Sequence, residues 1–354
     1  MSVPISRLFA VVAVLSGGLA ACSNTSATPG GMPSASPTAE GSSLAGSSIT
    51  VYNAQHEELT QAWADAFTAA TGVTVTLRNG DDSELGNQLV QEGGASPADV
   101  FLTENSPAMS LVERAGLLTD VDPATLQHVP TAYRPSTGKW TGIAARSTVF
   151  VYNPAKVSES ELPKSLLDLA DPSWKGRWAA SPGGADFQAI VSAVLALKGR
   201  AATEEWLAGM QANVTQYQGN STVMKAVNAG EIPGGVIYHY YWFIDQAGTK
   251  ENSKNTKLHF FGKQDPGAFV SVSGGGVLAS SKNQAAAQAF LAFITGKAGQ
   301  DVLRTGTSFE YTVASGVAAN QALPALDTLD GPTVDPSTLN STEVVDLMTK
   351  AGLI

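Results

Sequence analysis

Apolar and polar positions along this chain repeat with two periods, which predict strands and helices in turn. Residues 49–52 have the length and composition of a short strand. Over residues 59–70 the apolar side chains recur every three or four positions, as on one face of a helix. Residues 73–77 alternate between apolar and polar, as in a second strand. The folded part therefore opens with a strand–helix–strand unit.

The same patterns recur further on, and glycine or proline ends many of the segments. Helical spacing occurs in six segments, at residues 82–92, 107–115, 187–197, 203–211, 222–229 and 282–295. Strand patterns occur in four segments, at residues 98–103, 149–152, 234–238 and 270–279, the last containing Gly274, Gly275 and Gly276. Strands alternating with helices predict a mostly parallel sheet covered on both faces. About 300 residues of this pattern are enough for two α/β lobes with separate cores.

The first 21 residues predict an export signal. Arg7 gives a positive flank, and residues 8–19 form an apolar run. The run is shorter than the roughly 20 residues that span a membrane, so it is typical of a signal peptide. It ends in Leu-Ala-Ala-Cys at residues 19–22, which resembles the lipobox of bacterial lipoproteins. An ordinary secretory signal followed by a chance cysteine is the alternative.

We therefore expect residues 1–21 to be removed and Cys22 to carry acyl chains such as palmitate, which bury their carbons in a bilayer. Residues 22–48 are rich in Ser, Thr, Pro, Gly and Ala, which predicts a flexible linker. The expected location is the extracytoplasmic face of the cell membrane. Cys22 is the only cysteine, so the chain has no internal disulfide and no cysteine-based zinc cluster.

Charge and motifs then narrow the function. The chain has 21 Lys and Arg against 31 Asp and Glu, a net charge of −10, which argues against nucleic acid as a partner. G-x-S-x-G, the phosphate-binding G-x-x-x-x-G-K and C-x-x-C do not occur. His56 begins a segment like the zinc-protease motif H-E-x-x-H, but Thr60 stands where the second histidine belongs. We therefore expect a binding protein and no enzyme.

Four polar side chains closely follow predicted strands. His56 comes after the first strand, Glu104 after the strand at residues 98–103, and Tyr240 and Tyr241 after the strand at residues 234–238. Ligands of open α/β sheets bind outside the carboxyl ends of the strands, so these residues are candidates for one cleft. Taken singly, each has a more common structural role, as a helix cap, a turn residue or a packed strand end.

Two phenols, a carboxylate and an imidazole give mostly oxygen donors, which suit a hard, highly charged cation such as Fe(III). Zinc more often recruits Cys and His, and calcium recruits carboxylates and carbonyls. Two phenolates and one carboxylate also match three positive charges. An organic cation such as a polyamine or thiamine, held against the aromatic rings, is the alternative ligand.

Six motifs resemble those of the bacterial ferric-ion-binding proteins of ABC importers. They are I-T-V-Y-N-A-Q-H at residues 49–56, P-A-D-V-F-L-T-E at 97–104, A-R-S-T-V-F-V-Y-N at 145–153, N-S-T-V-M-K-A-V-N-A-G-E at 220–231, Y-Y-W-F at 240–243 and Q-D-P-G-A-F-V-S at 264–271. The match covers roughly residues 49–350. The resemblance implies a type II periplasmic-binding-protein fold, in which two crossing strands join two lobes. It implies an N-lobe of residues 49–147 and 271–323 and a C-lobe of residues 148–270 and 324–354.

The resemblance also implies a ligand set and partners. The iron ligands fall on His56, Glu104, Tyr240 and Tyr241. A synergistic anion such as phosphate or carbonate is implied by many members of the family. Its pocket falls on five residues, namely Gly183, Gly184, Ala185, Asn220 and Arg146. The implied partners of a monomeric protein are an ABC permease and its ATPase.

This chain departs from the family pattern at the anion pocket. The family often has a Ser-Gly-Ala turn where this chain has Gly184-Ala185-Asp186. Two asparagines commonly precede the tyrosine pair, where this chain has Tyr238 and His239. The need for an anion, and a direct role for Tyr238 or His239, are left open by the sequence.

Overall fold

The computed structural model describes residues 44–354, which include the entire predicted α/β region. The predicted signal peptide, Cys22 and most of the predicted linker lie outside the described residues. Within residues 44–354, no helix has the length and apolar content to span a membrane.

Nine strands run through the described chain. They are β1 Ser48–Asn53, β2 Thr74–Asn79, β3 Val100–Leu102, β4 Thr141–Tyr152, β5 Trp178–Ala180, β6 Val214–Gln216, β7 Gly234–Tyr238, β8 Lys257–His259 and β9 Val270–Val277. Ten α-helices lie between and after them. They are α1 Glu57–Thr71, α2 Asp82–Glu92, α3 Ser106–Arg114, α4 Pro123–Leu126, α5 Ala185–Asn213, α6 Asn220–Ala229, α7 His239–Ala247, α8 Gln284–Thr295, α9 Lys297–Thr305 and α10 Ser341–Lys350.

The sheet is mixed, so the prediction of a mostly parallel sheet is wrong. β1 pairs in parallel with β2 and β3, and β5 pairs in parallel with β6 and β7. Between these two parallel groups, β4 and β9 form antiparallel pairs with each other and with the neighbouring strands. The reason is that β4 and β9 each run from one group into the other, and they do so in opposite directions. Neighbouring strands that run in opposite directions form antiparallel pairs.

β4 and β9 are therefore crossing strands. The first half of β4 pairs with β9, from Thr141 to Ser147, and its second half pairs with β7, from Thr148 to Tyr152. Every residue of β4 is buried. The first half of this strand consists mostly of small and polar residues, so its burial gives no apolar pattern in the sequence. The sequence therefore indicated only residues 149–152. The division of the chain into lobes at residues 147/148, 270/271 and 323/324 stays a prediction.

Separate apolar cores lie on the two parallel groups. Trp63, Phe67 and Phe290 pack on the β1–β3 group, from helices α1 and α8. Trp178, Phe187 and Trp206 pack in a larger cluster around β5 and β7. Burying large side chains contributes about 1.5–3 kcal/mol each, so both groups are held by their own cores.

The predicted helices have bounds close to the observed ones, with two differences, whereas α4, α9 and α10 were not predicted from the sequence. The segments predicted at residues 187–197 and 203–211 form one run, α5, kinked at Gly199, which has a φ of 77°. Only glycine adopts this conformation readily, so the kink marks the gap between the two predicted helices. The second difference is α7, which starts directly after β7 and places Tyr240 and Tyr241 in a helix.

Candidate metal centre

The four candidate ligands lie at the carboxyl ends of parallel strands. His56 stands between β1 and α1, and Glu104 stands between β3 and α3. Tyr240 and Tyr241 lie in the first turn of α7, just after β7. The positive end of a helix dipole favours negative charge nearby, so this position suits phenolates. We call His56 and Glu104 the first wall, and Asp186, Tyr240 and Tyr241 the second wall.

The structure brings the two walls together. His56 Nδ1 lies 3.6 Å from Glu104 Oε1 within the first wall. Across the gap, the ring centroids of His56 and Tyr240 are 4.9 Å apart. Tyr240 and Tyr241 stack on each other with centroids 4.3 Å apart. Four residues from three segments that are distant in sequence therefore share one small volume.

Asp186, which sequence reasoning did not place among the ligands, lies at the centre of the second wall. Its Oδ2 accepts hydrogen bonds from Tyr240 Oη at 3.4 Å, Tyr241 Oη at 3.3 Å and Asn220 Nδ2 at 2.7 Å. Its Oδ1 accepts a hydrogen bond from Asn105 Nδ2 at 3.0 Å. The signal for it was the departure from the family's Ser-Gly-Ala turn, where this chain supplies a carboxylate.

Arg146, on β4, lies beneath both walls and is fully buried. It forms an ion pair with Glu310 and lies 3.4 Å from Glu104 Oε2 and 3.7 Å from Asp186 Oδ1. A buried charge is tolerated where it is paired, and here three carboxylates surround one guanidinium. Burial alone would lower the pKa of Arg146, but Glu310 and Glu104 raise it well above its usual value, so it stays charged.

Glu310 is a second residue that the sequence analysis missed. It is fully buried, and its Oε2 lies 3.9 Å from His56 Nε2. Among the residues described, neither of these two atoms has a hydrogen-bond partner. The only hint in the sequence is a charged residue between two aromatic ones, Phe309 and Tyr311. The His56 ring is thus flanked by Glu104 on one nitrogen and Glu310 on the other.

Burial sets the protonation of the site. It lowers the pKa of His56, so the imidazole is neutral and able to act as a ligand at neutral pH. It raises the pKa of Glu104 well above the usual value, against the opposing effect of Arg146. Burial and then Asp186 raise the pKa of both Tyr240 and Tyr241. Without a metal, the phenols therefore hold their protons.

The residues predicted for an anion divide into two groups. Gly183, Gly184, Ala185 and Asn220 line a cleft of about 530 Å3 that also reaches His56, Glu104, Asp186 and Tyr241. Arg146 lies beneath this cleft and is already engaged by carboxylates. Asn220 donates to Asp186.

Tyr238 and His239 back the site without facing its cleft. Tyr238 Oη lies 3.4 Å from Asn105 Oδ1 and 3.3 Å from the Asp186 carbonyl, and these two acceptors share its single proton. His239 Nδ1 accepts the Ser147 amide at 3.1 Å, and its ring stacks on Tyr311. Burial lowers the pKa of His239 to about 3, so this ring is neutral.

Phenols distinguish this centre from one made of common metal ligands alone. Across residues 44–354, no group of three or more His, Cys, Asp or Glu side chains is arranged to hold a metal. The centre described above instead combines one imidazole and two carboxylates with two phenols. A mixed crossing-strand sheet with a polar cleft between two parallel groups defines a two-lobed binding protein.

Comparison with known proteins identifies the family. The family model for bacterial extracellular solute-binding proteins matches residues 95–329. The Fe(3+)-binding periplasmic protein of Serratia marcescens is 67% identical over 306 residues, which cover 86% of this chain and 90% of that protein. The chain belongs to the bacterial extracellular solute-binding protein family, within its ferric-iron-binding group.

Solved structures agree with this assignment. Iron-bound HitA from Pseudomonas aeruginosa is 41% identical and superposes with a TM-score of 0.80, covering 87% of this chain and all of that one. A Trichodesmium protein in complex with iron and citrate is 27% identical with a TM-score of 0.75 over 87% of this chain and all of that one. The predicted two-lobed binding-protein fold is thus confirmed. So are the predictions of an extracytoplasmic protein and of a chain that is no enzyme.

Proposed function

We propose that this protein captures Fe(III) between its two walls and presents it to the permease and ATPase of an ABC importer. His56 and Glu104 supply donors from the first wall, and Tyr240 and Tyr241 supply phenolates from the second. The observation that carries the proposal is the contact between these walls, where His56 and Tyr240 lie 4.9 Å apart by ring centroids. The names of the relatives from Serratia and Pseudomonas support the choice of iron.

The charges favour a trivalent, hard cation. Two phenolates and the Glu104 carboxylate match the three charges of Fe(III), and oxygen donors are the ones it prefers. Arg146 and Glu310 form an ion pair and neutralise each other. Asp186 then remains as an additional carboxylate, already within hydrogen-bond distance of both phenols.

We propose that Asp186 takes the role that a synergistic anion has in many members of the family. Its carboxylate is held by Asn220, one of the residues predicted for phosphate or carbonate. A second anion in the same place would meet Asp186 and Glu104 at close range, and like charges repel strongly in a partly buried site. On this proposal, iron binds without added phosphate or carbonate.

The arrangement of the rings does not suit an organic cation such as a polyamine or thiamine. A cation contacts the face of an aromatic ring. Tyr240 is 1% exposed and stacks on Tyr241, and the Arg146 guanidinium lies 5.2 Å from its ring centroid. Neighbouring groups therefore already contact the faces of the Tyr240 ring, and we propose a metal ion as the ligand.

The test is titration of purified protein with Fe(III) in buffer free of phosphate and carbonate. Tyrosinate bound to Fe(III) gives a visible charge-transfer band. We expect this band in the wild type, and at least about 100-fold weaker binding, or roughly 2.7 kcal/mol, in Tyr240→Phe and Tyr241→Phe. Tyr133→Phe, at a half-buried tyrosine packed in another cluster, is the matched control. Retention of iron and of the band in the double variant would refute the site.

We further propose that the protein acts as a monomer tethered through acylated Cys22. The linker predicted at residues 22–48 would then let the folded part reach the permease while the lipid stays in the membrane. Metabolic labelling with a palmitate analogue tests the anchor, and Cys22→Ser should abolish the label.

A further inference from the structure

The side chain of Asn105 uses its full hydrogen-bonding capacity inside the protein. It is 2% exposed. Its Oδ1 accepts from Ser271 Oγ at 3.0 Å and from Tyr238 Oη at 3.4 Å. Its Nδ2 donates to Asp186 Oδ1 at 3.0 Å and to Asp82 Oδ2 at 3.2 Å. A carboxamide has two donors and one oxygen with two lone pairs, so no capacity is left over.

The partners of this amide belong to different parts of the sheet. Asn105 follows β3, in the first parallel group, and Asp186 begins α5, behind β5 in the second. Tyr238 ends β7, and Ser271 lies on the crossing strand β9. The Asn105–Asp186 hydrogen bond therefore connects the first parallel group to the second wall. It does so without using His56 or Glu104, the proposed ligands of the first wall.

Asp82 fixes Asn105 from the other side. At the start of α2, its carboxylate accepts the backbone N–H of Glu104 and of Asn105, each at 2.9 Å. With the bond from Asn105 Nδ2, one carboxylate holds both the backbone and the side chain of Asn105. The amide is thus pointed at Asp186 by a support that is itself buried.

We propose that Asn105 is a positioning residue that holds Asp186 against the phenols, so that the iron site is complete without an added anion. The inference rests on the proposed function and on the role of Asp186 in it. Asp186 has one oxygen toward the phenols and Asn220 and the other toward Asn105. Loss of the Asn105 donor leaves the second oxygen with only the longer contact to Arg146 at 3.7 Å, and the carboxylate is then held less firmly in one orientation at the metal.

Groups that orient a ligand typically change metal affinity by about 10- to 100-fold when they are removed. Asn105→Asp keeps the shape of the side chain and the acceptor for Ser271, but it sets a second oxygen against Asp82 and Asp186. Asn105→Ser replaces the amide that reaches Asp186 with a shorter hydroxyl and adds no charge. Asn87→Asp, at an exposed asparagine of α2 whose side chain bonds only to the Ser83 carbonyl, adds the same charge outside the hydrogen bonds of Asn105 and Asp186.

Each variant is titrated with Fe(III) in buffer free of phosphate and carbonate, and again with phosphate added. We expect iron affinity to fall about 10- to 100-fold in Asn105→Ser and Asn105→Asp, with a shifted charge-transfer band. Added phosphate should restore part of the affinity in Asn105→Ser, where Asp186 can turn aside and leave room for the anion. It should change the wild type, Asn105→Asp and Asn87→Asp little. If Asn105→Asp fails to fold, Asn105→Ser, whose melting temperature is compared with the wild type, decides the matter.

A double-mutant cycle with Asp186→Ala separates positioning from a general loss of structure. If Asn105 acts through Asp186, the Asn105→Ser change costs less than about twofold in the Asp186→Ala background, because the two effects are not additive. Additive effects, or wild-type affinity and anion independence in both Asn105 variants, would overturn the inference. A wild type without iron or band would instead overturn the proposed function itself, so the two failures are distinguishable.

Discussion

Single residues at this site have properties that their chemical type does not suggest, and Asp82 is the clearest case. Burial raises its pKa from an ordinary 3.8 to about 7, although Arg146 and the hydrogen bonds from Asn105 and Glu104 oppose the shift. An unfolded chain releases this proton near pH 4, whereas the folded protein keeps it until near pH 7. Between these values, folding is coupled to uptake of a proton.

This proton uptake sets the direction in which stability changes with pH. Stability contributed by protonated Asp82 is fully present below pH 4 and is lost as the pH rises toward 7, in total on the order of 4 kcal/mol. In metal-free protein, we expect the free energy of unfolding of the wild type, relative to Asp82→Asn, to fall across this window. Urea unfolding of both proteins at several pH values measures the difference. A difference that does not change with pH would contradict the assignment.

The sequence identified some residues of the site and missed others for a physical reason. His56, Glu104 and the tyrosine pair come directly after strands in the sequence. The end of each strand can be predicted from its pattern of apolar residues. Asp186 starts a helix behind the three-residue strand β5, which is too short to give a pattern. Glu310 owes its position to a single bridge between Ala145 and Tyr311, which joins segments far apart in sequence.

Among the elements, β4 is packed so closely at the crossing strands that Gly142 has no room for a side chain. A Cβ on Gly142 would lie 2.2 Å from the Tyr133 carbonyl oxygen and 2.9 Å from Val272 Cγ1. The first contact is with backbone, which moves only at a cost. The strand register also shifts between Gly142 and Ala144, so the backbone here is already irregular.

We therefore expect Gly142→Ala to lower the free energy of unfolding by at least about 1–3 kcal/mol, the usual cost of overpacking. Gly94→Ala is the control, because a Cβ at that exposed glycine meets nothing within 4 Å. Chemical denaturation of both variants gives the comparison. Equal stability of Gly142→Ala and the wild type would mean that the Tyr133 segment moves aside freely.

The elements also show which structure local pattern can predict. α2 has the bounds Asp82–Glu92 and β7 the bounds Gly234–Tyr238, both as predicted. Each is delimited by its own sequence, with glycine at an end. The first half of β4 was missed because its partner β9 lies about 120 to 130 residues away. The mixed pairing was missed for the same reason, since the distant strands β7 and β9 set the direction of β4.

At the scale of the whole molecule, metal capture, wall closure and proton release belong to one equilibrium. Burial raises the pKa of Tyr240 and Tyr241, so without a metal these phenols carry protons at neutral pH, and burial also raises the pKa of Glu104. Coordination to Fe(III) requires the deprotonated forms. Binding therefore releases protons from the phenols, and acid shifts the equilibrium toward the metal-free protein.

We expect each iron bound near pH 7 to release at least two protons, and the apparent affinity to fall about 100-fold for each pH unit below that. A pH electrode in weakly buffered solution counts the protons, and titrations between pH 7 and 5.5 give the slope. Tyr240→Phe should release one proton fewer. Release of less than one proton by the wild type would exclude phenolate ligation.

The contact between the two walls also limits the rate of iron capture. His56 lies against Tyr240, and Asn105 donates a hydrogen bond to Asp186. A cation reaches its donors only in the moments when these contacts part, and those moments are a property of the chain. At high iron concentration the capture rate then levels off at the opening rate. The contacts that retain the ion also limit how fast the protein collects the next one.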